Sequence, residues 1–292
     1  MKYSDFKQKV IVHMEDVAVH MSEKPEPGLW QGKGEPKDYI LGNPKSSKER
    51  AEFVNKYALL SSVKQIEQID YKSFHLHPSA HHLNSSQIMC YNFFRPMMDE
   101  FDGKIKMYKA KECLVKLIDE KIGENLDSHV AVCNFEHVDD SKENTNFDFY
   151  FKKGDTEVFF EIKYTEKAFA KKVSRSSKNP HKQYEKVYMP MIDEAKDIFI
   201  DGTISEEAFN TKYYQLGRNA IRATTKNKHV FFVCSKERED LIKQFEQFTE
   251  ECLTEEGKHR VRLIYWEELV KEVQSLSINV DDFNKRYLDF LK

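Results

Sequence analysis

The stretch Thr145–Lys163 reads TNFDFYFKKGDTEVFFEIK and decides the fold. Two runs rich in aromatic and β-branched residues flank Gly154 and Asp155, a dipeptide that suits the two-residue turn of an antiparallel hairpin. If these two residues form the turn, Asp148 on the first strand lies opposite Glu161 on the second. The sequence therefore predicts a β-hairpin with this register.

Strand alternation separates the side chains of this hairpin into two faces, because successive residues point to opposite sides. One face collects six apolar residues, which are Phe147, Phe149, Phe151, Val158, Phe160 and Ile162. The other face carries Asn146, Asp148, Tyr150, Phe159, Glu161 and Lys163. A shift of the register by one residue would turn the apolar face outward, so the register is strongly specified.

The opposed carboxylates of Asp148 and Glu161 indicate a metal site, because like charges facing each other across a ladder lower stability unless they are neutralised. Hard divalent cations take carboxylate and carbonyl oxygens and keep several waters. We expect both carboxylates and the backbone carbonyl of Ile162 to hold such a cation. Lys163 could orient or deprotonate a water, or stabilise charge that develops on a phosphate. The alternative is a solvated sheet face on which Lys163 neutralises ordinary acidic residues.

These residues resemble the PD-(D/E)xK nuclease superfamily. Asp148 matches the Asp of its motif and the run Glu161–Lys163 matches E-x-K, while Phe147 replaces the usual proline. The resemblance covers about residues 108–235. It implies a core of helix, three antiparallel strands, helix and strand, with Asp148, Glu161 and Lys163 as catalytic residues.

Further local signatures are similar to those of a group of bacterial restriction-endonuclease-like proteins. They are NSSQ at 84–87 followed by NF at 92–93, TNFD at 145–148, EIKYTE at 161–166 and YQLGRN at 214–219. The group implies a nuclease fold more firmly than any particular substrate. In similar nucleases an acidic residue near the first core strand often completes the metal site, and Glu136 is the candidate here. Glu166 could join the site if the chain bends after Lys163.

Several polar residues are candidates for substrate binding. Gln215 and Arg218 lie three apart on a predicted helix, so they share a face that can reach a phosphate or Glu161. Gln87 lies at a predicted helix N-terminus, which can receive a phosphate or simply be capped. The run 163–188 holds seven Lys and one Arg against two Glu, a pattern that suits a phosphate backbone or a solvated loop. Its candidate contacts are Lys171, Lys172 and Arg175.

A histidine-rich run and two tryptophans each have more than one possible role. The histidine-rich run 75–82 matches no standard zinc spacing and has no cysteine nearby, so we interpret it as a polar loop that approaches the substrate. Trp30 and Trp266 can stack on nucleobases, although packing in a core or an interface is the favoured interpretation of both.

Periodicity predicts helices over Tyr3–Met21, Ser47–Gln68 and Tyr108–Ile122, with a loop rich in Pro and Gly at Lys24–Lys45. A further helix is predicted from 84 to about 95, where Pro96 interrupts it. Strands are predicted over His129–His137, Thr145–Lys152, Glu157–Thr165, His229–Ser235 and Arg260–Tyr265.

Composition indicates a soluble globular chain. Of 292 residues, 40% are hydrophobic and 13% aromatic, which is enough for a sizeable core. No run approaches the roughly 18 to 20 apolar residues of a membrane span, and charges interrupt the first 21 residues, so we expect neither a membrane segment nor a secretory signal. Five widely spaced cysteines predict reduced thiols and a cytoplasmic protein.

Together these observations predict an α/β (α+β) protein with a restriction-endonuclease-like core, in which helices flank a central mixed sheet. Residues 1–100 are predicted to form a helical N-terminal extension packed on the core, and residues 101–292 the nuclease-like core with C-terminal helices. The predicted function is a Mg²⁺- or Mn²⁺-dependent DNA endonuclease of restriction, repair or defence type, with no organic cofactor and with a homodimer left open. The alternatives are a binding module for nucleic acid or protein on the same fold, and a coincidental hairpin.

Overall fold

The computed structural model describes residues 1–23, 25–30, 32–104, 107–123, 130–138, 145–169 and 183–291. Its strands are β1 (Pro27–Trp30), β2 (Lys33–Leu41), β3 (Met98–Asp102), β4 (Met107–Ala110), β5 (Val132–Val138), β6 (Asn146–Lys153), β7 (Thr156–Ile162), β8 (Lys228–Cys234) and β9 (Val261–Tyr265). Its α-helices are α1 (Tyr3–Val19), α2 (Ser47–Phe53), α3 (Ser61–Lys64), α4 (Ser86–Phe94), α5 (Glu112–Ile122), α6 (Met189–Glu194), α7 (Glu206–Thr211), α8 (Tyr214–Ala220), α9 (Glu239–Cys252), α10 (Glu255–Arg260), α11 (Trp266–Ser275) and α12 (Asp281–Tyr287).

A seven-stranded mixed sheet lies at the centre, in the order β3-β4-β5-β6-β7-β8-β9. Neighbouring strands from β3 to β7 are antiparallel, whereas β7, β8 and β9 run parallel. Parallel neighbours need long crossover connections, and the helices between β7 and β8 and between β8 and β9 belong to them. The predicted α/β fold with a mixed sheet flanked by helices is confirmed.

The β6–β7 hairpin has the predicted register. Residues 154–155 form the turn, and the Cα pairs extend as far as Phe149 and Phe160. Asp148 and Glu161 lie one step beyond this pair, where β7 continues to pair with β8. The two strands that carry the acidic residues therefore separate at the point where those residues stand.

Helices bury both faces of the sheet. The first core contains five of the six predicted apolar hairpin residues and packs them against α1, α4, α5, α11 and α12. Phe94 of α4, for example, stacks on Phe149 with ring centroids 4.0 Å apart. The second core packs the opposite face against α7, α8 and α9. Burial on both sides explains why the hairpin is so rich in phenylalanine.

Phe147 differs from the prediction, because it belongs to the second core rather than to the same face as Phe149. Its ring lies 4.9 Å from that of Phe159. The neighbouring strand is distorted beside this position, since Glu136 of β5 has a positive φ of 49°, a conformation that departs from the extended strand. Simple alternation therefore does not extend from Phe149 to Phe147.

Three predicted segments have a different secondary structure. The predicted helix Ser47–Gln68 is divided into α2, a π-helical turn at Val54–Ala58 and α3, with residues 59–60 outside any helix. The predicted loop Lys24–Lys45 contains the antiparallel strands β1 and β2, with Trp30 paired with Lys33. The predicted helix Tyr108–Ile122 starts at Glu112, because the preceding residues form β4 and pair with β5. Short edge strands with mixed polarity have weak periodicity, so the sequence pattern did not separate them from loop or helix.

The N-terminal residues pack on the sheet, since Phe6, Val10 and Met14 of α1 belong to the first core. The division at residue 100 stays a prediction, and β3 crosses that position. No helix in the described ranges is both long and apolar enough to cross a membrane. The cysteines are free thiols, as the sequence indicated.

Candidate active site at the fork of β6 and β7

Glu161, near the end of β7, is only 7% exposed. Its Oε1 accepts hydrogen bonds from Lys163 Nζ at 2.8 Å and from Gln215 Nε2 at 2.7 Å. Its Oε2 accepts one from Asn219 Nδ2 at 3.0 Å. Both oxygens of this buried carboxylate are therefore held by donors from the strand and from α8, which fixes the orientation of the carboxylate.

Helix α8 supplies two of these donors because Gln215 and Asn219 are four residues apart and so share one face of the helix. Between them, Gly217 lies close to Phe209 of α7: a Cβ on this glycine would stand 3.1 Å from the phenylalanine ring. The small residue lets the two helices approach closely. Sequence reasoning placed Gln215 within reach of Glu161 but missed Asn219, which the same spacing could have revealed.

Asp148 occupies the fork itself. Its Oδ2 accepts a hydrogen bond of 2.6 Å from the backbone N–H of Ile162. The next backbone N–H, that of Lys163, donates to Val233 O on the β8 side at 2.8 Å. Since the N–H and C=O of one strand residue point to the same side, the carbonyl of Ile162 faces the fork beside Asp148.

Electrostatic crowding marks this group of residues. Burial raises the pKa of Asp148 well above its usual value, and the charges of Glu161 and Glu136 raise it further. Burial also raises the pKa of Glu136 to about 7, against the lowering effect of a hydrogen bond from Gln87. Burial alone would lower the pKa of Lys163, but the neighbouring carboxylates, Glu161 first, outweigh it and raise the pKa. The lysine is therefore a cation among crowded acids.

The donor set suits a hard cation. Asp148, Glu161 and the Ile162 carbonyl offer oxygen ligands, which Mg²⁺ and Mn²⁺ prefer. A divalent charge would also relieve the repulsion that raises the carboxyl pKa values. Within the described ranges no group of three or more His, Cys, Asp and Glu is arranged to hold a metal, so a cation here would rely on the carbonyl and on water for its remaining ligands.

The chain after Lys163 bends back toward α4. Glu166 accepts hydrogen bonds from Ser86 Oγ at 2.6 Å and from the N–H of Tyr164 at 2.7 Å. The fully buried Arg238 donates to the carbonyl oxygens of Tyr164 and Glu166. This arginine, which sequence reasoning did not single out, anchors the segment that follows the lysine.

The predicted substrate-binding residues Gln87 and Arg218 each contact another part of the chain. Gln87 of α4 binds the histidine-rich loop, accepting from the N–H of His77 at 2.9 Å and donating to the carbonyl of His75 at 2.8 Å. Arg218 donates to Thr145 Oγ1 at 3.1 Å, just before β6. The predicted basic contacts Lys171, Lys172 and Arg175 lie outside the described residues.

Comparison with known proteins complements this geometry. Neither the curated proteins nor the solved structures include a match to the chain. A protein-family match, in contrast, spans residues 14–289 and so includes the hairpin, α4, α8 and nearly all of both cores. The chain therefore belongs to the family described as restriction endonuclease associating with ARP.

Proposed function

We propose that the protein is a divalent-metal-dependent nuclease that hydrolyses phosphodiester bonds, with DNA as its substrate and endonucleolytic cleavage of restriction, repair or defence type as its activity. The observation that carries the proposal is the fork of β6 and β7, where Asp148 accepts the N–H of Ile162 and Glu161 binds the buried Lys163. Membership of a restriction-endonuclease family supports the same reaction class. A cytoplasmic location fits the five free cysteines.

In this proposal Asp148, Glu161 and the Ile162 carbonyl would hold Mg²⁺ or Mn²⁺, and Glu136 of β5 would support the cation through a bound water. When bound, the cation polarises a phosphate and lowers the pKa of a water. Lys163 orients that water and stabilises the negative charge that develops on the phosphate. Its position supports this role, because its ammonium group is 2.8 Å from Glu161 Oε1 and its side chain is 8% exposed.

Substrate contacts in this proposal surround the fork. Gln215 fixes Glu161, while Gln87 and Arg218 stand on α4 and α8 at either side of the hairpin. The remaining proposed contacts with the DNA backbone are Lys171, Lys172 and Arg175. A homodimer would place two such forks on the two strands of a duplex.

The test is cleavage of supercoiled plasmid and of single-stranded DNA in Mg²⁺, in Mn²⁺ and in EDTA. We expect cleavage in either metal and none in EDTA, with losses of activity in Lys163→Ala and Asp148→Asn. The matched controls are Lys152→Ala and Asp155→Asn, which make the same changes at exposed positions of the same hairpin. Thermal melts establish that each variant is folded.

Cleavage that persists in EDTA and in Lys163→Ala would contradict the mechanism. DNA binding without cleavage in any metal would instead support the non-catalytic binding module. Titration calorimetry with Mn²⁺ separates the two further, since the proposed site loses the metal in Asp148→Asn but not in Asp155→Asn.

A further inference from the structure

A cleft of about 470 Å³ opens beside Asp148 and Glu136. This volume lies within the range of about 300 to 1,000 Å³ that is common for small-molecule sites. Aromatic rings share its lining with the two carboxylates, and they are Tyr3, Trp30, Tyr39 and His82. Lys7 and Lys167 also line it. The cleft thus combines stacking surfaces, cations and the acidic end of the candidate active site.

Trp30 is the prominent aromatic residue of this cleft, since 48% of it is exposed. Its ring lies 5.4 Å from that of His82, at an angle of 51°. His82 is buried and contacts Tyr39 edge to face, and burial lowers its pKa to about 3, so this histidine is neutral at pH 7. The indole is therefore supported by an uncharged ring while much of its own surface faces solvent.

The aromatic wall is tied to the framework of the active site. Backbone hydrogen bonds join Leu83 N–H to Tyr39 O at 2.9 Å and Leu41 N–H to His81 O at 3.2 Å. The segment that makes these bonds leads directly into α4, whose first residues line the cleft. At the base of the β1–β2 hairpin, Gly28 packs so closely on Gly42 that a side chain would not fit. The β1–β2 hairpin that carries Trp30 is thus hydrogen-bonded to the segment before α4, and α4 lines the same cleft as Asp148.

We infer that this cleft receives one unpaired nucleotide of a DNA strand, with its base stacked on Trp30 and its phosphate directed toward Asp148. The inference rests on the proposed function and adds a substrate class to it. A base paired within a duplex is covered on both faces by its neighbours, whereas an unpaired base exposes a face to an aromatic side chain. Lys7 and Lys167 supply positive charge for the flanking phosphates. The protein should therefore prefer single-stranded or locally unpaired DNA to a fully paired duplex.

Tryptophan fluorescence provides a direct test, because the chain has two tryptophans and Trp266 is fully buried. The full-length protein is titrated with a single-stranded oligonucleotide, with its blunt duplex, and with that duplex carrying one unpaired nucleotide. Each titration is performed in Ca²⁺ and again in EDTA. We expect the two DNAs with unpaired bases to quench the emission, and Trp30→Phe to abolish most of the quenching.

Affinity is measured in parallel by fluorescence anisotropy of labelled DNA. Stacking is worth about 1–3 kcal/mol per base, so Trp30→Ala should bind unpaired DNA about 5- to 160-fold more weakly and leave duplex binding unchanged. Tyr71→Ala removes another partly exposed aromatic residue, one outside the cleft, and should have no effect. Unchanged affinity of Trp30→Ala for unpaired DNA, or an equal loss on the duplex, overturns the inference.

The nuclease proposal is tested separately, because these titrations do not require cleavage. If Trp30→Ala cleaves DNA normally in the presence of metal and keeps the same DNA preference, the nucleotide cleft is contradicted. The nuclease proposal then still stands. Quenching by unpaired DNA in a protein that never cleaves DNA would instead support the nucleotide cleft and contradict the nuclease proposal.

Discussion

Replacing Gln215 by Leu isolates the part that the α8 clamp plays at Glu161. Leucine is similar in size but cannot donate the 2.7 Å hydrogen bond to Oε1. A hydrogen bond to a charged group contributes about 1.5–3 kcal/mol, which corresponds to roughly 13- to 160-fold if it is expressed fully in metal affinity or in the rate. Because Lys163 still donates to the same oxygen, we expect the lower half of that range.

The assay compares kcat/KM for DNA cleavage as a function of Mg²⁺ concentration. If Gln215 orients Glu161 as a metal ligand, Gln215→Leu should shift the Mg²⁺ midpoint upward, and saturating metal should restore part of the rate. The free energy of unfolding should fall by only about 1.5 kcal/mol, since one donor of several is lost.

Gln247 provides a matched control. Its amide donates to Glu251 at 2.8 Å, but on an exposed part of α9, so Gln247→Leu should change stability by less than about 0.5 kcal/mol and leave the Mg²⁺ dependence unchanged. Equal effects of the two substitutions, or activity of Gln215→Leu within about twofold of the original chain, would refute the reasoning.

Three further predictions concern stability. Lys163→Met should lower the free energy of unfolding by about 3–5 kcal/mol, because it leaves the Glu161 charge buried without its cation, and adding Glu161→Gln should restore most of the loss. His229 is 5% exposed and burial lowers its pKa to about 4. Between about pH 6.5 and pH 4 the His229 imidazole is therefore protonated in the unfolded chain but still neutral in the folded chain. The free energy of unfolding falls by up to about 3 kcal/mol as the pH drops through this range. His229→Phe should remove that component of acid sensitivity in urea titrations. Gly28→Ala should lower the melting temperature and weaken binding of unpaired DNA, because the new Cβ overlaps Gly42 O, whereas Gly103→Ala has open space and should do neither.

Each of these predictions has a distinct contrary result. An additive loss in the double variant would show that Lys163 does not compensate Glu161. An unchanged slope of stability against pH between 4 and 6.5 in His229→Phe would show that another group takes up the proton. Normal stability and DNA binding in Gly28→Ala would show that the β1–β2 hairpin tolerates displacement.

The central sheet could be predicted where apolar residues alternate regularly along the strands. Phe149, Phe151 and Phe160 specify one register, since any slip would expose them, and the structure has that register. The short edge strands could not be predicted in the same way. β4, for example, has four residues with an irregular burial pattern, and its pairing with β5 is decided by tertiary contacts that local periodicity does not contain.

The candidate site was predictable to a similar extent. The hairpin register predicted that Asp148, Glu161 and Lys163 lie near one another on a single face, but the pairing ends at Phe149 and Phe160. Asp148 lines the cleft beside α4 and Glu161 contacts α8, and the catalytic roles of the three residues remain the proposal tested above. Asn219 and Arg238 required the structure, because their contacts with Glu161 and with the backbone at residues 164–166 bridge parts of the chain that are 58 to 74 positions apart. Such contacts depend on how α8 and the start of α9 pack on the sheet.

The fork resolves a difficulty that the sequence pattern raises. Two carboxylates at opposed positions of an intact ladder would point to one face and repel each other. Because β6 and β7 separate beyond Phe149, the Asp148 carboxylate instead accepts the N–H of Ile162 and lines the cleft beside α4. Glu161 turns to the donors of α8 on the opposite side of the sheet. Asp148 thus contacts the Ile162 peptide while Glu161 is held by α8, yet the charge of Glu161 still raises the pKa of Asp148. The break in the ladder therefore turns the Ile162 carbonyl toward two carboxylates that still repel each other, and a cation bound there would neutralise both.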